Sequence, residues 1–169
     1  MTDNEQKYIF DQWLGQHKAL IFKVVRAYAS AAMDRDDLFQ EIAIQIWHSV
    51  PSFRNESAVT TWLYRISLNT ALKLISKERK RNRSEPLDAT RHILRDNKIQ
   101  IDERLTWLYE EIHKLDEIDR SIALLLLDRY SYKEMASILG ITESNVGVKI
   151  NRIKKHLISK SKHYYNHGI

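Results

Sequence analysis

Apolar residues return at spacings of three and four along most of this chain, which is the repeat of a helix with one buried face. Ile9, Trp13, Leu20, Val24 and Tyr28 mark a first helix over about residues 6–30. Ile42 and Ile46 mark a second over 36–50, with N-cap chemistry at Asp34-Arg-Asp-Asp37 and a stop at Pro51. Val59, Trp62, Leu63, Ile66, Thr70 and Leu74 predict a third over 58–80. Only 4 Gly and 2 Pro occur in 169 residues, too few turn-formers for a sandwich or barrel. The expected fold is all-α.

The periodicity fades from Asn82 to about Ile101, around Pro86, where a short helix near Ile93 is all that the pattern allows. It then resumes. Leu105, Leu108, Tyr109 and Ile112 predict one helix; Ile118, Ile122, Leu125 and Leu126 a second; and residues 132–139 and 143–159 two more. The expected layout is a helical domain at 1–82, a linker at 83–104 and a second helical domain at 105–169.

Charge follows this division. Net charge is only +5, but residues 77–83 hold five basic residues and one acidic, and residues 149–162 hold six basic and none acidic. Residues 102–119 between them hold seven acidic and two basic. Such patches suit a polyanion met at two places. The plain alternative for the run at 77–83 is complementation of a helix dipole.

The most specific local pattern lies between Tyr132 and His156. Two helices meet at Gly140, four residues after Ala136 and six before Val146. A small residue at 136 allows close approach, Gly140 can take the left-handed conformation that ends a helix, and Thr142 can cap the next one. Val146, Ile150, Ile153 and Leu157 must face inward. Ser144, Asn145, Val148, Asn151, Arg152 and Lys155 then face wholly or partly outward, as in a helix-turn-helix entering the major groove. Asn pairs with adenine and Val meets a thymine methyl, while Lys149, Arg152, Lys154 and Lys155 suit phosphates. The plain alternative is a helical hairpin with a solvated basic face.

Enzyme chemistry finds little support. The glycines at 15, 140, 147 and 168 form no phosphate loop, there is no Cys, and no His pair has zinc-ligand spacing. Asp36, Asp37 and Glu41 could form the carboxylate cluster of a metal nuclease, but acids in a first helical turn also complement the dipole. No metal and no cofactor is expected. The N-terminus lacks a signal-peptide pattern, and the apolar run Ile122–Leu127 is too short to span a bilayer, so the expectation is a cytoplasmic protein with no membrane insertion.

Read together, the two halves resemble a sigma factor of the sigma-70 family, of the small extracytoplasmic-function (ECF) type. The first anchor is Asp36-Asp-Leu-Phe-Gln-Glu-Ile-Ala-Ile-Gln-Ile-Trp47, with Ser52-Phe-Arg54 and Thr61-Trp-Leu-Tyr-Arg-Ile-Ser-Leu-Asn-Thr-Ala71, which resembles region 2. The second is the helix-turn-helix, which resembles region 4. The resemblance implies that Asp37, Leu38, Gln40, Glu41, Ile44 and Trp47 dock on the clamp helices of the largest subunit of core RNA polymerase. For Leu38, Ile42 and Trp47 the alternative is core packing. It also implies that the region 4-like domain meets the flap of the second-largest subunit.

By the same resemblance, Phe53 and Asn69 handle a base flipped from the −10 promoter element, repaying its lost stacking. For Phe53 the alternative is a loop residue that caps the core. Arg65, Lys73, Lys77, Arg79, Lys80 and Arg81 would hold the DNA backbone, and Trp62 would be structural. Ser144, Asn145, Gly147, Val148, Lys149, Asn151, Arg152 and Lys155 would read the −35 element. Gly147 departs from the family, many of whose members carry Arg or Lys there. That shifts weight to Lys149 and Asn151 and leaves base preference at 147 and 148 open. The linker would run toward the polymerase active-site cleft and RNA exit path. An anti-sigma factor, often membrane-anchored, is implied as a regulator. The rival to all this is a DNA-binding regulator whose first half is a sensor or dimerisation module.

Overall fold

The computed structural model describes residues 1–30, 33–82 and 102–167, which form seven α-helices. They divide into two compact units. The expected short helix near Ile93, and nearly all of the expected linker, lie outside the described residues.

In the first unit α1 spans Asp3–Tyr28, α2 Arg35–Ser49 and α3 Val59–Asn82. Helix α1 starts earlier than periodicity alone predicts, because Thr2 and Glu5 form a reciprocal capping box: Thr2 N donates to Glu5 Oε2 at 2.7 Å, and Glu5 N donates to Thr2 Oγ1 at 3.3 Å. It is kinked at His17. Ser30 and Met33 exchange two backbone hydrogen bonds between α1 and α2. Asp34 caps α2, accepting from the Asp36 amide at 2.8 Å. A single 3-10 turn, Val50–Ser52, carries Pro51 where its missing N–H does no harm.

All three helices pack on one another. Ile21, Val24, Val25 and Tyr28 of α1 meet Leu38, Ile42 and Ile46 of α2 and Leu63, Tyr64, Leu68 and Ala71 of α3 in a common core. The buried side of α3 is rotated from the expected stripe. Leu63 and Thr70 are buried as expected, but Val59, Trp62, Ile66 and Leu74 are half-buried, while Tyr64, Ser67, Leu68 and Ala71 are buried. Two neighbours, α1 and α2, flank α3, so its buried arc is wider than a single stripe and takes in Tyr64, Ser67, Leu68 and Ala71.

In the second unit α4 spans Glu103–His113, α5 Glu117–Leu127, α6 Tyr132–Leu139 and α7 Glu143–His167. Ile112, Ile122, Leu124, Leu125, Met135, Ile138, Val146, Ile150 and Ile153 form the core. Leu105, expected on a buried stripe, is 44% exposed. Arg120 fastens the α4–α5 corner: its Nη2 donates to the carbonyls of His113 at 2.6 Å and Leu115 at 3.0 Å, which the end of α4 leaves unpaired.

Candidate nucleic-acid and polymerase interfaces

On a helix each residue turns about 100°, so the position of every side chain on α2 follows from its number. Asp37, Gln40, Glu41, Ile44 and Trp47 fall within an arc of about 120°. Leu38, Ile42 and Ile46 fall on the opposite side. The structure agrees: Asp37 and Gln40 are exposed, Ile44 is 48% exposed, and Glu41 and Trp47 are half-buried. Leu38 is wholly buried. It is therefore a core residue in this structure and is removed from the docking face, because its angular position is that of the α2 core stripe. Trp47 is partly covered by the start of α1. The Phe10 ring meets it edge-on at 5.4 Å, and Gln6 Nε2 donates to its carbonyl at 2.8 Å. Glu41 accepts from Gln45 Nε2 at 3.0 Å. Among the described residues, no group of three or more His, Asp or Glu is arranged to hold a metal ion.

The loop between the 3-10 turn and α3 is anchored by Phe53. Its ring meets Trp13 of α1 edge-on at 5.1 Å and Trp62 of α3 at 5.5 Å and a tilt of 54°. Phe53 N donates to Val50 O at 3.3 Å, and Asn55 takes a left-handed conformation (φ 56°) that asparagine tolerates. Of the two readings open for Phe53, the geometry realises contact with the core, yet the residue stays half-buried. Trp62 is half-buried, and its Nε1 is buried without a hydrogen-bond partner. The sequence marked Trp13 only as part of the α1 stripe; nothing local paired it with Phe53, which lies 40 residues away in the chain.

Along α3, Arg65, Asn69, Lys73, Lys77 and Lys80 share an arc of about 120°. Asn69, Lys73, Lys77 and Lys80 are exposed; Arg65 is half-buried. Arg81 is tied to Glu78 at 2.8 Å. The basic arc begins beside the Phe53 loop, so an amide and three cations line one exposed track.

The second unit contains the turn that the sequence predicted. Ser131 and Glu134 form a capping box that starts α6. Gly140 ends it at φ 69°, ψ 33°, its N–H donating to Ala136 O at 2.9 Å. Thr142 Oγ1 accepts from the Asn145 amide at 3.1 Å and starts α7. Val146, Ile150 and Ile153 are buried, and Leu157 is half-buried. Ser144, Asn145, Val148, Asn151, Arg152 and Lys155 are exposed, with Gly147 half-buried at the edge of this face.

Two of the expected DNA contacts have partners within the protein. Lys149 Nζ donates to Asp119 Oδ1 at 2.7 Å, and both side chains are largely buried. Arg152 also bonds to Asp119, through Oδ2, and lies 3.6 Å from Asp116 Oδ2. The hydrogen bond that Arg152 donates to Asp119, and then the charge of that carboxylate, push the Arg152 pKa further up. Arg152 still exposes most of its side chain. Lys149 sits about 70° from the centre of the buried stripe of α7, which turns it toward α5. The added weight that the sequence placed on Lys149 as a DNA contact is therefore not matched by its position.

Residues 13–81 match Sigma-70 region 2, and residues 105–157 match Sigma-70, region 4. The chain is 30% identical over 158 residues to the ECF RNA polymerase sigma-E factor of Escherichia coli strain K12, covering 86% of this chain and 81% of that protein. The chain belongs to the sigma-70 family, as an ECF-type sigma factor. A sigma-E factor of Haemophilus influenzae is 29% identical over 168 residues, covering 91% of this chain and 88% of that one. Two solved structures share the fold. The RpoE sigma factor of Bartonella quintana, in complex with the anti-sigma factor NepR, has a TM-score of 0.72 at 21% identity over 90% of this chain and 96% of that one. CnrH, in complex with the cytosolic domain of CnrY, has a TM-score of 0.66 at 22% identity over 93% and 90%. The α2 face, the Phe53 loop and the α3 arc of this sigma factor all lie in its region 2, and the helix-turn-helix lies in its region 4.

Proposed function

We propose that this sigma factor binds core RNA polymerase and directs it to promoters, with no catalysis of its own. The exposed face of α2 (Asp37, Gln40, Glu41, Ile44 and the edge of Trp47) docks on the clamp helices of the largest subunit, an apolar anchor within a polar rim. Region 4 meets the flap of the second-largest subunit and places α7 in the major groove of the −35 element. Ser144, Asn145, Val148 and Asn151 face the bases there, and Arg152 and Lys155 the phosphates. The opened −10 strand lies along Asn69, Lys73, Lys77 and Lys80, with Arg65 and the Phe53 loop at one end of this track.

The domain limits 1–82 and 105–169, joined by a linker, fit this reading. The protein works in the cytoplasm, where no described helix need cross a membrane and none is long and apolar enough to do so. Its exposed docking and DNA-reading faces suit masking by an anti-sigma factor, which could also hold it at the inner membrane.

The observation that carries this reading is the separation of faces on α2. The core stripe faces inward, and Asp37, Gln40 and Ile44 are left exposed on the opposite side. The test is complex formation between the purified chain and bacterial core RNA polymerase, with an Asp37→Arg, Gln40→Ala variant beside it. Both substitutions are at exposed positions, so the variant should fold normally and lose polymerase binding. Failure of the unmodified chain to bind core polymerase, while it still binds duplex DNA, would favour the stand-alone regulator.

A further inference from the structure

Tyr132 is the first residue of α6, next to the Ser131 cap, and it is 44% exposed. Its ring lies against α7 at Gly147. A β-carbon placed at 147 would be 3.5 Å from Tyr132 Cε2 and 3.8 Å from Cδ2. The ring thus covers helix surface where residue 147 has no side chain of its own. The next residue, Val148, is 66% exposed. Ser144, Asn145, Asn151, Arg152 and Lys155 are exposed around them. The front of the helix-turn-helix is therefore a small apolar strip framed by amides, a hydroxyl and cations.

The chemistry of that strip decides what it can read. A long cation at 147 would donate to the acceptors of guanine. A ring edge and an isopropyl group do not, and their match in the major groove is the C5-methyl of thymine. The phenolic O–H of Tyr132 is itself a donor, and Tyr132→Phe removes it while keeping the ring edge. The framing cations favour a duplex polyanion over an apolar partner. We propose that Tyr132 is a specificity-determining residue of the −35 interface: its ring takes the place of a side chain at position 147 and, with Val148, reads a thymine methyl. This rests on the reading of α7 as the −35 helix.

The full-length protein, bound to core RNA polymerase, is used to select duplexes from a pool randomised through the −35 region. Each thymine of the selected duplex is then replaced by 2′-deoxyuridine, which removes only the methyl group. At the thymine facing Val148 the affinity should fall roughly fourfold, the equivalent of one buried methyl group. Tyr132→Ala should shrink that loss toward unity, whereas Tyr132→Phe and Gly147→Ala should keep it, since a β-carbon at 147 stands at ordinary contact distance from the ring. Gly147→Arg should move the selected base from thymine toward guanine. Neutral deoxyuridine at every position, or a full loss retained in Tyr132→Ala, overturns the proposal and leaves the −35 reading intact. If Tyr132→Ala does not fold, an unchanged base preference in Gly147→Arg overturns it instead. Failure to select any −35 sequence overturns the −35 reading and this inference with it.

Discussion

Lys149 Nζ lies 2.7 Å from Asp119 Oδ1, so a cation that the sequence places among DNA contacts joins α7 to α5 instead. Arg152 holds the other oxygen of the same carboxylate. Asp119 is thus a buried charge with two cationic partners, and its removal would leave Lys149 facing no anion.

Asp119→Asn should therefore lower the stability of region 4 by about 2 kcal/mol, as for the loss of a hydrogen bond to a charged group. Denaturation followed by circular dichroism measures it, and an unchanged midpoint would remove the ion pair from the account. DNA binding should separate the lysines. Lys155→Ala should flatten the salt dependence of duplex binding by about 0.9 in log–log slope. Lys149→Met should leave that slope unchanged while lowering stability.

Phe53 bridges two tryptophans from different helices. Phe53→Ala should destabilise region 2 by about 2 kcal/mol through lost apolar burial. A ring standing free to stack on a base would be removed at no such cost. Asn69→Ala, at an exposed position, should change stability by less than about 0.5 kcal/mol. It should nonetheless impair promoter opening in a permanganate footprint, with polymerase binding intact.

The Glu134 carboxyl accepts from the Ser131 amide and then from its hydroxyl, and these bonds hold its pKa below the usual glutamate range. A lowered folded-state pKa means that the ionised group stabilises α6 above the ordinary glutamate value of about 4.3. That contribution is lost as pH falls through the lowered value. Glu134→Gln should therefore melt earlier than the unmodified protein at neutral pH, and the two curves should converge in acid.

Arg129 ends α5 in a left-handed conformation, φ 61°. Its N–H donates to Leu126 O, and Tyr130 N donates to Leu125 O, each at 3.0 Å. This is the paired bonding of a Schellman motif, where glycine is the usual residue. Arg129→Gly relieves the side-chain strain and gives back part of the gain as unfolded-state entropy. The net should be about 0.5 kcal/mol of added stability, seen as a higher melting temperature.

Periodicity, with the cap and stop residues, determined the helices and their order, although α1 starts at Asp3, before the predicted residue 6, and α7 runs to His167, well beyond the predicted residue 159. The sequence also determined the turn of the helix-turn-helix, because Gly140 and Thr142 act on backbone groups within a few residues. The candidate DNA and polymerase faces were legible only as sets. What depends on which neighbour a helix meets could not be read from spacing, and tertiary structure decided it. Leu38 went to the core, Lys149 to Asp119, and Phe53 to Trp13 across 40 residues of chain. The α3 stripe turned because two helices, rather than one, press against it. Local rules act through hydrogen bonds of neighbouring residues, whereas these placements follow from angular position on a helix and from what is packed opposite.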